Sequence, residues 1–467
     1  MARKTVDTLL ELSIKSLLSN ESAAIQAVEE LPIDLFVPLF TAAFLRRQKE
    51  VLKAMVRVWP FRCLHIGALH PQESNYDIME AMVDGLQLLP AQNSSSRGTK
   101  LRILDLRQDP EYGITCSYRA KYPVCFLSCV YSQHSIINIE EAELNARCYG
   151  KDTIDSRSQS VWQPMELLVD LSFNCFLRAK QFISLLINKT EQSLGSLHLC
   201  CRNLQIENLS VQKNSLKIVD LVCTDRLELD KAHLRDVNTL LSQLINLESL
   251  RLTDVECRSY TGKNFKTFLT CLGKLNSLEE LTLSFFSLTN QLHKLLRVLT
   301  PQLDTLSLTF CDLSTRDLTA LSQSTQANHL KLLKLSNNQL VWEFHEPLLN
   351  LLENVSGTLQ YLEINNCLIT DSTLSAILPG LSRCSHLRIF SFACNPITMP
   401  VLMNILQHLT TLMELRYVIY PVPLDCYNQS DFDGSLDQEK VAAMKAQLKL
   451  MLRAAQREDM KWTAFPE

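Results

Sequence analysis

Leu303-Asp304-Thr305-Leu306-Ser307-Leu308-Thr309-Phe310-Cys311-Asp312-Leu313 sets apolar residues in a fixed rhythm, L-x-x-L-x-L-x-x-C-x-L. A strand through this phrase sends Leu306 and Leu308 to one side and Thr305, Ser307 and Thr309 to the other. So short a phrase cannot bury its own leucines, and its neighbours must supply the partner surface. They repeat it. Leu330, Leu333, Leu335 and Leu340 follow the same rhythm with Asn338 in the Cys311 slot. Leu359, Leu362, Ile364, Cys367 and Ile369 form another copy, and Leu387, Phe390, Phe392, Asn395 and Ile397 the next. Upstream stand Leu278, Leu281, Leu283, Phe286 and Leu288, and more loosely Leu247, Leu250, Leu252, Val255 and Cys257. Leu412, Leu415, Tyr417, Tyr420 and Val422 read as a last, degenerate copy.

Successive starts lie 25 to 31 residues apart, the period of long leucine-rich repeats, in which each strand is followed by a helix. The expected fold class is therefore α/β: a leucine-rich-repeat solenoid (horseshoe) with a parallel sheet on its concave face and helices on its convex face. Asn338 and Asn395 are expected to bond backbone groups that the turn after the strand leaves unpaired, with Cys311 and Cys367 as small substitutes. Helices are expected over 344–352, with Pro347 in the first turn, and after the Thr370-Asp371-Ser372 cap. Weaker copies at Leu194, Leu197, Leu199, at Leu216, Val219, Leu221 and at Leu101, Leu104, Leu106 carry the solenoid back to about residue 100. Residues 107–163 leave the template and read as an irregular insertion.

The organisation that follows has three parts. Residues 1–92 form a helical N-terminal cap, 93–426 the solenoid with its clearest repeats at 247–422, and 427–467 an acidic loop and a C-terminal capping helix from Glu439 to Arg457. A stack of repeats exposes a core edge at each end, which is what caps cover.

Composition narrows function. The 467 residues carry 46% apolar side chains and a net charge of −4, which gives no footprint for direct nucleic-acid binding or an electrostatic membrane anchor. Only 11 glycines occur, too few where phosphate-cradling loops need close backbone approach. The 16 cysteines include no CxxC pair. His198 beside Cys200-Cys201 is the closest His/Cys grouping, and adjacent strand residues face opposite ways, so no metal site is expected there. No signal peptide and no apolar run of membrane-spanning length is read, so the cysteines are expected reduced, in cytoplasm and/or nucleus. No cofactor and no catalytic constellation is expected, leaving a protein-binding surface rather than an enzyme.

Two short patterns suggest where proteins bind. Leu9, Ser13 and Leu17 stand at helical i, i+4, i+8 and fit the box that docks elongin C, with Leu9 as the knob and a small residue at Ser13 allowing close approach. Leu31, Pro32 and Leu35, with Leu39 beyond, fit a cullin-binding pattern. Any amphipathic capping helix could produce the same spacing. Leu292-His293-Lys294-Leu295-Leu296 and Leu348-Leu349-Asn350-Leu351-Leu352 match a nuclear-receptor box but read as the inward faces of repeat helices. The expected client-facing positions are the outward strand residues Arg251, Thr282, Ser307, Lys334, Glu363, Ser391 and Arg416.

Several linked runs go beyond generic repeats: Thr8-Leu9-Leu10-Glu11-Leu12, Leu31-Pro32-Ile33-Asp34-Leu35-Phe36-Val37-Pro38-Leu39-Phe40, Trp59-Pro60-Phe61, Leu197-His198-Leu199-Cys200-Cys201 and Tyr420-Pro421-Val422-Pro423-Leu424. In these the chain resembles the PRAME family (preferentially expressed antigen in melanoma and its oogenesin-like relatives) over nearly its whole length. The resemblance implies a substrate-recognition subunit of a cullin 2 RING ubiquitin ligase, joined through elongin C and binding a protein client yet to be identified. It implies expression in germ cells, early embryos or tumours. It also implies repression of transcription, including retinoic acid receptor signalling, reduced differentiation and apoptosis, and increased proliferation. The alternative from the residues alone is a ligase-independent repeat scaffold or transcriptional corepressor.

Overall fold

The computed structural model describes residues 8–66, 76–86, 100–107, 165–173, 177–193, 195–212, 216, 219–257, 262–339, 345–427 and 435–465. The insertion read at 107–163 and the polar stretch at 93–99 lie almost wholly outside them. The chain divides into two compact units, residues 1–207 with 212–224, and 208–211 with 225–467.

The first unit opens with helices α1 (Leu9–Leu17), α2 (Glu21–Ala27), α3 (Ile33–Leu45) and α4 (Lys49–Arg57). Their core is aromatic: the Trp59 ring lies 5.2 Å from Phe40, 5.7 Å from Phe61 and 6.0 Å from Phe36, all near edge-on, and its indole N–H donates to the Cys63 carbonyl at 3.0 Å. Strand β1 (Cys63–His65) follows, inside the stretch read as a helical cap. It pairs in parallel with β2 (Ile103–Asp105), which pairs with β3 (Met165–Phe173), and β3 with β4 (Leu197–Glu207). Helices α5 (Tyr76–Gly85) and α6 (Leu177–Gln192) complete the unit.

The second unit runs through the short helix α7 (Leu209–Gln212, counted partly with the first unit), then β5 (Arg226–His233), α8 (Leu234–Leu241), β6 (Ser249–Glu256), α9 (Lys263–Leu272) and β7 (Glu280–Ser284). Next come α10 (Leu292–Val298), β8 (Thr305–Thr309), α11 (Thr315–Ser322), β9 (Leu332–Lys334), α12 (Glu346–Val355) and β10 (Tyr361–Glu363). Then α13 (Asp371–Ser382), β11 (Ile389–Ser391), α14 (Met399–Leu409), β12 (Tyr417–Pro421), α15 (Gln438–Ala454) and β13 (Lys461–Phe465) close it. Within each unit every strand pairs in parallel with the next strand in the chain. This is the leucine-rich-repeat class, built as the rhythm required: Leu250, Leu281, Leu306, Leu333, Leu362 and Phe390 stand in one register row and are fully buried.

The asparagines do more than close turns. Asn338 Oδ1 accepts the N–H groups of Cys311 (3.0 Å) and Leu313 (3.3 Å) in the preceding repeat, while its Nδ2 donates to the carbonyls of Leu308 and Leu335, both at 2.8 Å. Asn395 repeats the arrangement on Cys367, Ile369, Ile364 and Phe392. The thiols of Cys311 and Cys367 donate to the preceding repeat's Leu283 and Leu335 carbonyls, at 3.3 and 3.2 Å. Cys and Asn thus alternate along a buried ladder that satisfies backbone groups between repeats. The leucines of both nuclear-receptor-like boxes are buried, except Leu349, which belongs to the intervening helix surface. That is the core role expected of them.

Three sequence expectations need correction. Leu221–Cys223 is a 3-10 turn capped by Asp220, not a strand; the strand follows at Arg226–His233, with Leu227 and Leu229 inward. The last repeat is framed three residues too early: Val418, not Leu415, pairs with Phe390, and Tyr420 takes the second inward place while Tyr417 is exposed. The leucine spacing Leu412-Leu415 belongs to the turn segment between α14 and β12, where both residues are buried. Finally, the C-terminal helix is not the last element. It leads into β13, which pairs with β12 over five residues. Arg457 between them is 5% exposed and donates to the carbonyls of Thr410, Leu412 and Leu415 at 2.7–2.8 Å, fastening this closing helix–strand pair to the repeat before it.

Candidate protein-binding surfaces

Helix α1 is set up by a capping box. The Thr8 hydroxyl accepts the Glu11 N–H at 3.2 Å, and the Glu11 carboxylate accepts the Thr8 N–H at 2.6 Å. Its C-terminal end is held down: Leu18 is buried, its carbonyl accepts from Gln48 Nε2 at 2.6 Å, and the Lys15 carbonyl accepts from Arg46 at 3.4 Å. Yet none of the nine residues of α1 is buried. Leu9 is 83% exposed, Leu10 and Leu12 are exposed, and Leu17 is half-buried. Ser13 is exposed and turns its hydroxyl back to the Leu9 carbonyl at 2.8 Å, which keeps that face compact. Of the second pattern, Pro32 caps α3 and is exposed, Leu31 and Leu35 are half-buried, and Leu39 is buried in the helical core. The structure therefore offers Leu9, Ser13 and Pro32 to solvent and withdraws Leu39.

On the strand-lined surface of the second unit, register sets a row Arg251, Thr282, Ser307, Lys334, Glu363, Ser391 and then Ile419. Arg416 is not in it. It precedes β12, a consequence of the misframed last repeat, and pairs with Asp459 beside the closing strand. Arg251 is exposed and pairs with Glu280 at 3.0 Å. Thr282 is half-buried. Lys334 pairs with Glu363 at 3.5 Å and sits 4.9 Å over the Tyr361 ring, whose hydroxyl donates to Glu363 at 2.9 Å. Burial and the Glu363 carboxylate raise the Tyr361 phenol well above its ordinary range, so it stays a donor. Ser307 and Ser391, expected to face a client, are instead 5% and 2% exposed. Ser391 spends its hydroxyl on Asn365 Oδ1 at 2.7 Å.

Two residues after the second inward side chain of each of these repeats the backbone turns left-handed, and here lies a feature the rhythm did not disclose. Lys231, Asp254, Phe285, Phe310, Asn337, Asn366 and Cys394 share φ values of 50–60°. Asp and Asn suit that conformation; Phe does not, at a cost on the order of 1–3 kcal/mol. Phe285 and Phe310 nevertheless occupy it in adjacent repeats and stack at a centroid distance of 4.4 Å, 8° from parallel. They remain 55% and 43% exposed. Stacking returns about 0.5–1.5 kcal/mol, less than the upper part of that cost, and both rings are left open to solvent. Their signal was available: both occupy the same place in consecutive copies, two residues after the strand's second inward leucine.

Comparison with known proteins agrees with this architecture. The family model described as the PRAME N-terminal domain matches residues 6–112, and the PRAME C-terminal domain matches 165–465. The chain is 33% identical to human PRAME family member 20 over 465 residues, covering 97% of this chain and 93% of that protein. It is 34% identical to human PRAME family member 12 over 469 residues, covering 97% and 91%. It is also similar to Leucine-rich repeat-containing protein 14 of Xenopus laevis, 30% identical over 504 residues and covering 98% and 97%.

Proposed function

The chain belongs to the PRAME family, a repeat-based protein-interaction scaffold, and from that premise we propose that it is the substrate-recognition adaptor of a cullin 2 RING ubiquitin ligase. Helix α1 docks elongin C through Leu9, Ser13 and Leu17. Leu31, Pro32 and Leu35 meet cullin 2. The strand-lined surface selects the client through Arg251, Thr282, Lys334 and Glu363, with Phe285 and Phe310 as apolar anchors. Ubiquitin transfer belongs to other subunits, and the chain contributes position rather than chemistry. Its proposed setting is cytoplasm and/or nucleus, and its proposed effect is repression of transcription, including retinoic acid receptor signalling, with less differentiation and apoptosis and more proliferation. No described helix is long and apolar enough to cross a membrane.

The observation that carries the proposal is α1 itself: a capped helix, anchored at one end, that buries none of its residues. Burying a leucine such as Leu9 in a partner yields about 1.5–3 kcal/mol, and a preformed helix spares the ordering cost. Leu9→Ala is expected to weaken elongin C capture at least tenfold while leaving the denaturation midpoint unchanged, because Leu9 packs against little in its own fold. The check is co-purification with elongin C and cullin 2. If the unmutated chain captures neither, the adaptor proposal fails. The exposed Phe285–Phe310 stack supports a second reading, a ligase-independent scaffold or corepressor. Under it, Phe285→Ala with Phe310→Ala abolishes partner capture and Leu9→Ala changes nothing.

A further inference from the structure

In the first unit, a strand and the turn that follows it bring three different metal-binding side chains together. His198 Nε2 lies 3.0 Å from Asp220 Oδ2, and Cys223 Sγ lies 3.8 Å from the same oxygen. All three donor atoms are within 4.8 Å of one another. The sequence offered only His198 with Cys200 and Cys201, whose neighbouring strand positions diverge; Asp220 and Cys223 arrive from the capped turn that crosses beside β4.

We propose that His198, Asp220 and Cys223 form a binding site for a single zinc ion. Imidazole, carboxylate and thiolate are the ligand types zinc favours, and a tetrahedral ion with bonds of roughly 2.0–2.3 Å sets its donors roughly 3.3–3.7 Å apart, between the two separations found here. The site is pre-arranged without the ion. The Asp220 backbone bridges to Cys200 in parallel fashion, aligning the turn with the strand that carries His198. Asp220 Oδ1 accepts the Val222 N–H at 3.0 Å, fixing the carboxylate so that Oδ2 points to the other two ligands. The Thr224 hydroxyl donates to the Cys201 carbonyl at 3.0 Å and holds the far side of the turn. Cys223 is buried, while the His198 and Asp220 side chains retain 20% and 36% exposure, which leaves an approach for the ion and a fourth position for water. On binding, Cys223 releases its thiol proton to solvent. His198 binds as the neutral imidazole with the Nε2 lone pair toward the ion, which puts its ring proton on Nδ1. Asp220 Oδ2 exchanges both of its hydrogen bonds for the metal bond. The turn after β4 is then cross-linked to the strand by the ion.

The test uses the full chain, stripped with a chelator and titrated with cobalt(II) as a spectroscopic probe. The expected result is one equivalent bound, with tetrahedral visible bands and a near-ultraviolet thiolate-to-cobalt band, both removed by one equivalent of zinc. Cys223→Ser is expected to abolish the thiolate band, and His198→Gln to weaken binding at least tenfold. Cys394→Ser, at an exposed cysteine elsewhere, is expected to change neither. Absence of stoichiometric uptake, or a thiolate band that survives Cys223→Ser, overturns the proposal and leaves a plain His–Asp hydrogen bond. Should Cys223→Ser fail to fold, X-ray absorption of the zinc-loaded unmutated chain decides. One sulfur with nitrogen or oxygen ligands supports the site, and no sulfur, or two or more, refutes it.

Discussion

Asn338 joins four backbone groups of two repeats through one side chain, and nothing smaller can do so. Alanine there leaves buried N–H and C=O groups without partners, at about 1–3 kcal/mol for each group not rescued by water. Asn338→Ala is therefore expected to cost about 3 kcal/mol in denaturant titration, whereas Asn337→Ala, one residue earlier on the surface, loses mainly its bond to Asn366 and its tolerance of the left-handed backbone. A loss below about 1 kcal/mol at Asn338 would contradict the ladder. The role of this residue was legible, because its slot in the rhythm is read directly from spacing. The burial of Ser307 and Ser391 was not. Alternation says which way a side chain points, but how far it emerges depends on the lengths of side chains on neighbouring strands, such as the Lys334 and Glu363 pair.

Element boundaries turned on a similar ambiguity at β12. Leu412, Leu415 and Tyr417 satisfy the leucine rhythm as well as Leu415, Val418 and Tyr420 do, and spacing alone has no preference between them. Pairing with β11 decides, since only the second frame turns apolar groups inward: Val418 and Tyr420 are buried, and Tyr417 is left to contact Lys461, 5.7 Å from its ring. Tyr420→Ala is accordingly expected to cost about 3–5 kcal/mol, and Tyr417→Ala less than about 1 kcal/mol. Equal losses in thermal or chemical denaturation would restore the earlier frame. β1, β3 and β13 were missed for another reason. They lie next to segments that do not repeat, so no periodic neighbour announced them.

At the scale of the molecule, the repeat class was legible because recurrence over tens of residues is a long-range signal that local propensity cannot imitate. The binding surfaces were legible only as positions, since exposure belongs to the packed chain. Packing also ties stability to pH. Burial pushes the Cys311 and Cys384 thiols up to about 12, the Cys367 thiol to about 11 and the Tyr420 phenol to about 12, from ordinary values of 9.0 and 10.0. These groups stay protonated in the folded chain while the unfolded chain ionises. Their contribution is thus complete below about pH 9 and is lost as pH rises toward 12, at about 1.4 kcal/mol per pH unit for each group titrating in the unfolded state alone. Denaturation midpoints measured from neutral to alkaline pH should fall steadily above about pH 9, and a flat profile would refute this burial.

Because each strand of the second unit after β5 rests on the one made just before it, assembly of that unit never has to wait for a distant part of the chain. From β5 to β12 a nascent polypeptide leaving the ribosome can lay down one repeat, dry its inner face against the last, and move on, with loop-closure costs confined to the span of a single repeat. The exposed growing edge is then always the newest strand, and within the second unit it passes to β13 only once α15 and Arg457 have emerged to fasten it.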